Sequence, residues 1–520
     1  MYIRRPILRT RGEDVKRRAF LLFVSFLCFL SLLPWISGAA SLTILHTNDT
    51  HGHLMPFSYP AVVAAESSLE GLRERSNIGG IARRATLVKR IREELKQQGT
   101  PVWLVDAGDF CDGTPFSTEY HGEADVSAMN AAGYDFATLG NHEFNNTLAQ
   151  MKKLIAMARY PILCANAVDA ATGEPLTRPY VIEQAGPVRV GIFGLVTHEA
   201  ATYPAAKKGV TIGEEVETAR RVIAELRGKA DIILLISHIG QEYDEKVAAA
   251  VSGIDVIVGA HSHSRLPVGE LIWRSDELRA DEINGTIIVQ AHQWGGELGR
   301  LDLLFEKDST GVWHVDRYRS RLIPVTSEVE PDDAVAAVVD QYWKPIAARY
   351  GEVIGLAAGD FCSRGDDRAE YNLVADAIRE AFGTEIEMEN LGGVRAPLIK
   401  GEITRADLVA LDPFSNTVVT FKIAGREIRR IVQEHTPAVS GIRYRVEDGR
   451  LVEITINGQP LEEDRVYAGA ANSYFARYAL RGIDLHDSGT PRLDVLIRYI
   501  REKGTIHPAY DGRRVVVGAL

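Results

Sequence analysis

The stretch YDFATLGNHEF, residues 134–144, decides the fold class of this chain of 520 residues. An apolar segment with β-branched and aromatic side chains ends at Gly140, and the polar residues Asn141, His142 and Glu143 follow directly. A short apolar run bounded by Gly, Asn or Asp is typical of a strand that is buried on both faces. Dense polar groups directly after such a strand indicate a site at its carboxyl end.

Six further runs share this pattern, and in them too the polar residues come last. They are SLTILHTND (41–49), PVWLVDAGDF (101–110), VRVGIFGLVTH (188–198), ADIILLISHIG (230–240), IDVIVGAHSH (254–263) and GTIIVQAH (285–292). Segments with helical spacing and glycine stops lie between them, for example residues 79–99 and 213–230. The sequence therefore predicts an α/β fold in which the carboxyl ends of buried strands bring polar residues together.

A second region begins after the last of these runs. Pro331 and the two aspartates that follow it predict the start of a helix that runs to about Tyr350. Beyond it lies another α/β region, in which Asn457 and Gly458 predict a hairpin turn. We therefore divide the chain into a segment 1–40, an N-terminal domain 41–325, a linker helix 326–350 and a C-terminal domain 351–520.

The first 40 residues are typical of an export signal. Basic residues precede the apolar run AFLLFVSFLCFLSLLPW, and the small residues of ISGAA suit cleavage near Ala40. The alternative is an uncleaved membrane anchor, because the apolar run is slightly long for a signal peptide. We predict a periplasmic or secreted protein that contacts a membrane only through this segment, and only if the segment is not cleaved.

The net charge argues against polymeric nucleic acid as a partner. The chain carries −11, and residues 1–40, with seven Lys or Arg and two Asp or Glu, contribute +5, so the remainder carries about −16. A small anionic substrate would need local positive charge from arginines or metal ions. Beyond residue 40 three cysteines remain, so at least one thiol has no disulfide partner within the exported chain.

The polar residues at the ends of the runs form a mixed set of possible metal ligands. Imidazole combined with carboxylate and amide oxygens suits Zn, Mn, Fe or Co better than Ca or Mg. Seven donors are too many for one tetrahedral ion, and they fit two ions about 3.5–4 Å apart that share a carboxylate. The set consists of Asp49, His51, Asp109, Asn141, His238, His261 and His263.

The order of these motifs, D-x-H, G-D, G-N-H-E, H and H-x-H, resembles that of the calcineurin-like metallophosphatase superfamily. With its second region included, the chain resembles the 5′-nucleotidase family of exported two-domain enzymes. The resemblance implies a four-layer α/β/β/α sandwich joined by a helix to a C-terminal α/β nucleotide-binding domain. It also implies two divalent ions, one held by Asp49, His51, Asp109 and His263 and the other by Asp109, Asn141, His238 and His261.

The resemblance assigns further residues to catalysis and to the substrate. His142 matches the family's catalytic histidine, and Asn145 stands where 5′-nucleotidases usually have an aspartate that supports it. We interpret Asp106, Asp112 and Glu143 as loop or supporting groups. The substrate-binding positions that carry over are Arg364 (chosen over Arg368), Asn390, Gly392, Gly393, Arg395, Phe414, Asn416 and Tyr474.

Two departures from the family keep alternatives open. Where a G-G-D-G segment is usual, this chain reads YALRG (478–482) and lacks the sugar-binding aspartate, and Asn145 is similar to the 2′,3′-cyclic-nucleotide phosphodiesterase branch. We expect hydrolysis of nucleotide phosphomonoesters to nucleoside and phosphate. The alternatives are a 2′,3′-cyclic-nucleotide 2′-phosphodiesterase/3′-nucleotidase, a UDP-sugar hydrolase, a phosphatase for a non-nucleotide ester, and a nucleotide-binding protein without turnover.

Overall fold

The computed structural model describes residues 39–61, 69, 72, 74–273 and 285–518. The predicted export signal, residues 1–40, lies outside the described residues except for its last two. Within the described ranges, no helix combines the length and the apolar character that crossing a bilayer requires. Cys111 and Cys164 are buried free thiols, and Cys362 is also buried.

The N-terminal domain is built from short strands with helices between them. Its strands are β1 (Ala40–Thr47), β2 (Val102–Asp106), β3 (Phe136–Thr138), β4 (Ile162–Leu163), β5 (Ala167–Asp169), β6 (Tyr180–Ala185), β7 (Val188–Val196), β8 (Val210–Ile212), β9 (Ile232–His238), β10 (Val256–Val258), β11 (Glu270–Trp273), β12 (Gly285–Val289), β13 (Glu297–Lys307) and β14 (Trp313–Pro324). Its helices are α1 (Ile81–Lys96), α2 (Pro115–Tyr120), α3 (Glu123–Ala132), α4 (Leu148–Met157), α5 (Pro204–Lys207), α6 (Glu215–Leu226) and α7 (Gln241–Ala250).

Two six-stranded sheets pack face to face in this domain. Their orders are β14-β13-β1-β2-β3-β4 and β11-β12-β10-β9-β7-β6. The core between them is mainly aliphatic and includes Ile44, Val105, Val190, Leu234 and Val256. Helices α1, α3 and α4 cover the outer face of the first sheet, and α6 and α7 cover that of the second. The predicted α/β/β/α sandwich is confirmed.

The seven quoted runs form β1, β2, β3, β7, β9, β10 and β12. Strands β1, β2 and β3 are mutually parallel, and β7, β9, β10 and β12 are parallel in the second sheet. The carboxyl ends of parallel strands share one edge of a sheet, so the polar residues that follow them are brought together there.

The connection between the domains consists of two helices, whereas a single helix was predicted. Helix α8 (Asp333–Trp343) begins as predicted, because the side chain of Asp332 accepts a hydrogen bond from the backbone N–H of Val335. Helix α9 (Ala347–Tyr350) follows after a break that contains Pro345, which cannot donate to a helical carbonyl. Helix α8 packs on the N-terminal domain, and α9 contacts the C-terminal domain.

The C-terminal domain is a second α/β unit. Its strands are β15 (Val353–Ala357), β16 (Ser363–Arg364), β17 (Asp367–Arg368), β18 (Ile386–Glu389), β19 (Gly401–Thr404), β20 (Thr417–Ala424), β21 (Ala438–Ser440), β22 (Ile442–Glu447), β23 (Arg450–Ile456), β24 (Gln459–Pro460), β25 (Val466–Asn472), β26 (Leu485–Pro491), β27 (Thr505–Ile506) and β28 (Arg514–Val517). Its helices are α10 (Ala369–Phe382), α11 (Arg405–Leu411), α12 (Gly425–His435), α13 (Ser473–Ala479) and α14 (Arg492–Lys503).

The largest sheet of this domain has the order β21-β18-β25-β20-β26, and a four-stranded sheet has the order β24-β23-β22-β28. Asn457 and Gly458, with φ angles of 48° and 77°, join β23 to β24. Two consecutive left-handed residues are what a two-residue hairpin requires, so the predicted turn is confirmed.

Candidate metal centre and substrate cavity

Five of the seven proposed ligands lie in left-handed backbone, which is uncommon for residues other than glycine. The φ angles are 49° at Asp49, 46° at His51, 53° at Asp109, 71° at His261 and 53° at His263. Such conformations cost about 1–3 kcal/mol each and cluster at functional sites, where the surrounding fold enforces them. The turns after the strands are therefore shaped to direct these side chains toward one point.

The distances between the donor atoms match those between ligands of a common ion. His238 Nε2 lies 3.1 Å from Asp109 Oδ2, and His51 Nε2 lies 3.8 Å from the same oxygen. His263 Nε2 lies 3.3 Å from Asp49 Oδ1. Two ligands that bind one tetrahedral ion at 2.0–2.2 Å lie about 3.3–3.6 Å apart, so the spacing suits bound cations.

Three groups of side chains place their ligand atoms within 4.8 Å of one another, and Asp109 belongs to two of them: Asp49, His51 and His263; His51, Asp109 and His142; Asp109, His238 and His261. Asn141 joins the last group, with its Oδ1 3.2 Å from His238 Nε2. The amide of Asn141 donates to the hydroxyl of Tyr203 at 2.8 Å, which fixes its oxygen toward the histidine. The structure thus brings all seven predicted ligands together.

Backbone carbonyls orient two of the imidazoles. Nδ1 of His51 lies 3.0 Å from the carbonyl oxygen of Asp112, and Nδ1 of His238 lies 2.8 Å from that of Ala107. Each carbonyl can accept the Nδ1 proton, which leaves the lone pair of Nε2 for a metal. Carboxylates, neutral imidazoles and an amide oxygen are together a donor set that fits divalent transition ions.

Glu143 ties the two ligand-bearing loops to each other. Its carboxylate accepts hydrogen bonds from the backbone N–H groups of Gly140 at 2.6 Å, Asp109 at 3.0 Å and Cys111 at 3.2 Å. Burial and the neighbouring charge of Asp109 raise the pKa of Glu143 to about 7. A side chain at position 140 would collide with the carboxylate of Asp109, so the glycine of this motif is required by close approach.

His142 is held by a carboxylate that sequence reasoning did not assign to it. Its Nδ1 lies 2.8 Å from Asp112 Oδ2 and 2.9 Å from Asn145 Nδ2, and the Asn145 amide also donates to Asp112. Burial by itself lowers the pKa of His142, but the charges of Asp109 and Asp112 outweigh it and the net pKa is raised. The charge missing at position 145 is therefore supplied from position 112.

A cavity of about 420 Å³ opens beside His142 between the two domains. This volume is within the range of small-molecule sites. The C-terminal domain lines it with seven predicted substrate residues, namely Asn390, Gly392, Gly393, Arg395, Phe414, Asn416 and Tyr474, and with Leu391, Arg477 and Tyr478. The N-terminal domain lines it with His142, Asn145, Thr202, Tyr203, Pro204 and Lys207.

The cavity combines aromatic faces with a guanidinium next to the proposed ligands. Arg395 Nη2 lies 3.2 Å from His51 Nε2, so this arginine reaches the metal centre from the other domain. The ring of Phe414 lies nearly parallel to that of His142, with 6.3 Å between centroids and 22° between planes. Tyr474 is 55% exposed. A guanidinium and aromatic faces that are able to stack thus occupy one space.

Family comparisons match both domains. The family of calcineurin-like phosphoesterases matches residues 42–265, and the 5′-nucleotidase C-terminal domain matches residues 353–479. The chain therefore consists of a calcineurin-like phosphoesterase domain followed by a 5′-nucleotidase C-terminal domain, the combination that the resemblance to 5′-nucleotidases predicts. It is a phosphoric ester hydrolase of the calcineurin-like type, a class that works with divalent metal ions.

Relatives in this family cover most of the chain. A 5′-nucleotidase of Vibrio vulnificus is 28% identical over 483 residues, 84% of each chain. Protein UshA of Salmonella pullorum is 28% identical over 505 residues, 87% of each chain. The crystal structure of a 5′-nucleotidase precursor from Thermus thermophilus has a TM-score of 0.80 at 27% identity and covers 92% of this chain and 100% of its own.

Arg364 is the predicted substrate residue that the structure does not bring to the cavity. It lies on the exposed β16–β17 hairpin, with its guanidinium 4.1 Å above the ring of Tyr510. Arg368, the other candidate, lines a neighbouring cleft together with Arg395. The hairpin turns the side chain of Arg364 away, and sequence spacing alone did not reveal this reversal.

The segment that departs from the family's G-G-D-G lies against the cavity. Leu480 is fully buried, whereas Arg477 and Tyr478, on the same helix α13 as Tyr474, line the cavity. Tyr478 packs edge-on against Tyr474, with 5.4 Å between ring centroids. An arginine and a tyrosine therefore line the cavity at the place where family members usually carry the sugar-binding segment.

A fully buried arginine joins the segments that carry the cavity residues. Arg492 donates from Nη1 to Glu389 at 2.6 Å, from Nε to Asp412 at 2.8 Å and from Nη2 to the carbonyl of Gly393 at 2.6 Å. Its backbone N–H donates to the carbonyl of Asn416 at 2.9 Å. Buried charges need such pairing, and here the pairing fixes the loops beside the substrate space.

Proposed function

We propose that this chain hydrolyses nucleotide phosphomonoesters to nucleoside and inorganic phosphate. The observation that carries the proposal is the continuity of one cavity from His142 and Arg395 to Phe414 and Tyr474. A phosphate at one end and a base at the other match this order of charged and aromatic groups. The relatives named 5′-nucleotidase are compatible with this ester class.

The proposal includes two divalent ions in the centre. Asp49, His51, Asp109 and His263 would hold one, and Asp109, Asn141, His238 and His261 would hold the other, with Asp109 as the shared ligand. When bound, Zn, Mn, Co or Fe ions supply positive charge for the phosphate and activate water as a nucleophile. The amide of Asn141, being neutral, keeps the centre more positive than a third carboxylate would.

Two side chains of the cavity would contact the phosphoryl group directly. His142, with Nδ1 engaged by Asp112, presents Nε2 toward the centre, where it can donate to a phosphoryl oxygen. Arg395 offers further donors in a planar fork. Both interactions strengthen as negative charge accumulates on the phosphoryl oxygens, and that is the condition for lowering the barrier.

The C-terminal domain would hold the leaving group. Phe414 and Tyr474 provide aromatic faces for a nucleobase, worth about 1–3 kcal/mol per stacked base. Asn390 and Asn416 offer both donors and acceptors at the cavity wall. Chemistry would thus reside in the N-terminal domain and selectivity in the C-terminal one.

Asp112 supplies a charge that Asn145 lacks, and the cyclic-nucleotide alternative stays open. The amide of Asn145 and the carboxylate of Asp112 both contact Nδ1 of His142, so the histidine keeps a charged partner. The other ester classes remain outcomes of the substrate test below. The location of the chain in the periplasm or outside the cell, and the domain limits 41–325, 326–350 and 351–520, are part of the same proposal.

Phosphate release from a panel of esters tests the function. The panel contains 5′-nucleotides, 3′-nucleotides, 2′,3′-cyclic nucleotides, sugar nucleotides and a small aryl phosphate, each with Mn, Co or Zn added singly. We expect the highest kcat/KM for 5′-nucleotides. Opening a cyclic or sugar nucleotide frees no inorganic phosphate, so these esters are followed by chromatography of the products. Hydrolysis of cyclic or sugar nucleotides alone would transfer the assignment to that class, and hydrolysis of no ester would refute the hydrolase function.

A further inference from the structure

Two cations face the substrate cavity at positions that the phosphomonoester reaction does not use. Lys207 is the last residue of helix α5 in the N-terminal domain, and Arg477 lies on helix α13 of the C-terminal domain. Both side chains are exposed. The N-terminal and the C-terminal domain thus each contribute one of these two cations to the lining of the cavity.

The position of Arg477 follows from the helix period. Tyr474, Arg477 and Tyr478 are spaced i, i+3 and i+4, so they share one face of α13, and all three line the cavity. The Nε of Arg477 donates to the carbonyl of Ser473 at 3.0 Å, which holds the stem along the helix and leaves the terminal amino groups for another partner.

The charge of the cavity is one-sided. Lys207, Arg395 and Arg477 are among its lining residues, and no Asp or Glu is among the described residues that line it. Asp487 lies outside the lining. Its pKa is lowered chiefly by hydrogen bonds from Gly489 and Thr417, and the charge of Arg477 adds to this effect. A cavity of this kind favours a ligand with more than one negative group.

The segment at residues 478–482 lacks the sugar-binding aspartate that the resemblance to 5′-nucleotidases predicts. A carboxylate accepts hydrogen bonds from two hydroxyl groups, but here Leu480 is buried and Arg477 offers donors only. Donors match an anion on the sugar better than they match its hydroxyl groups.

We propose that the cavity contains a subsite, formed by Lys207 and Arg477, for a second phosphate on the sugar of the substrate. The preferred substrate is then a nucleoside 3′,5′-bisphosphate. This inference rests on the proposed function, because it places the second phosphate relative to the one that reacts beside His142 and the base between Phe414 and Tyr474.

The proposed reaction is hydrolysis of the 5′ phosphate ester, and the 3′ phosphate takes no part in it. Water attacks the 5′ phosphorus, the bond from phosphorus to the 5′ oxygen breaks, and the leaving oxygen takes a proton. Inorganic phosphate and the nucleoside 3′-phosphate are the products. The 3′ phosphate is held and not cleaved.

The test compares adenosine 3′,5′-bisphosphate with adenosine 5′-monophosphate under identical conditions. We expect the full-length enzyme to show a ratio of kcat/KM, bisphosphate over monophosphate, of about ten or more, as one well-placed charged contact provides. Lys207→Gln and Arg477→Gln should each reduce that ratio several-fold, and the double variant should bring it to about one. Raising the salt concentration should reduce it in the wild type, because exposed charges are screened.

Neighbouring cations provide matched controls. Lys208 follows Lys207 in the sequence, and Arg481 comes four residues after Arg477. Both are exposed and neither lines the cavity, so Lys208→Gln and Arg481→Gln each remove a nearby charge without changing the lining. We expect both to keep the wild-type ratio, and thermal melting verifies the folding of all variants.

The outcomes separate the subsite from the function itself. Hydrolysis of both esters at equal efficiency would overturn the subsite and leave the proposed function intact. A ratio that falls equally in the Lys208 and Arg481 controls would also overturn it, because general charge would then be the cause. Release of phosphate from neither ester would refute the proposed function and the subsite with it. Adenosine 5′-phosphate as the product would show that the 3′ phosphate reacts, which contradicts its placement.

Discussion

Asp112→Asn removes the negative charge that contacts Nδ1 of His142 and keeps the shape of the side chain. The carboxylate oxygen lies 2.8 Å from that nitrogen, and the side chains of His142 and Asp112 are 6% and 21% exposed. The pair is largely shielded from solvent, so its interaction is stronger than that of a surface ion pair.

The size of the effect follows from what asparagine can still do. At 2.8 Å and an effective dielectric constant of about 20, two unit charges interact by about 6 kcal/mol, which is an upper bound because the amide still accepts a hydrogen bond. The difference between a charged and a neutral hydrogen bond is about 1–2 kcal/mol. We therefore expect kcat to fall about 5- to 30-fold. KM should change little, because the variant leaves the base-binding surface untouched.

Initial rates with a 5′-nucleotide and elemental analysis of the protein measure this effect. The matched rescue is Asp112→Asn combined with Asn145→Asp, because Asn145 Nδ2 already lies 2.9 Å from Nδ1 of His142. The double variant moves the carboxylate to the neighbouring position at the same nitrogen and should recover most of kcat. Asp340→Asn, an exposed change on helix α8, serves as the control.

Two results would refute the reasoning. A wild-type kcat in Asp112→Asn with full metal content would show that His142 needs no carboxylate partner. The second result is a loss of kcat that the double variant does not recover, at unchanged melting temperature. It would show that Asp112 acts through the conformation of its own loop and not through its contact with His142.

Three further changes test the metal centre, the base site and a buried acid. Asp109→Ala should lose both metal ions, and retention of two ions by elemental analysis would contradict a shared ligand. Phe414→Ala should raise KM for nucleotides about tenfold and affect a small aryl phosphate much less; equal losses would argue against stacking. Burial raises the pKa of Asp125 from 3.8 to about 8. Between these two pH values the carboxyl group is protonated in the folded state and ionised in the unfolded state, so the stability of the fold decreases as pH rises. Asp125→Asn should reduce the slope of stability against pH by up to about 1.4 kcal/mol per pH unit, measured by melting curves at pH 5 and 7, and an unchanged slope would count against it.

Local pattern was sufficient for the strands and their ends. The runs around Asp49, Asp109, Asn141 and His238 are short and apolar and are followed directly by their donors, so both the element and the position of the donor were readable from neighbours in sequence. The parallel order of the strands then brought the donors together, as such sheets do. The resemblance added the pairing of ligands with ions, which spacing alone left open.

Long-range placement was not readable in the same way. Asp112 reaches His142 across 30 positions, and only the fold shows that the two loops meet. Arg364 is directed away by a hairpin of two residues per strand, a detail too small for periodicity to detect. Lys207 lines the cavity because the two domains face each other there, and sequence reasoning had no measure of that arrangement.

The buried Arg492 has a consequence for how this enzyme can change during evolution. One cation links Glu389, Gly393 and Asp412, so a backbone shift in any of these segments is transmitted to the others. Breaking one such buried pair typically costs about 3–5 kcal/mol, which few domains tolerate. New substrate preferences are therefore expected to arise by exchange of exposed side chains such as Tyr474, while the segments that Arg492 links keep their conformation.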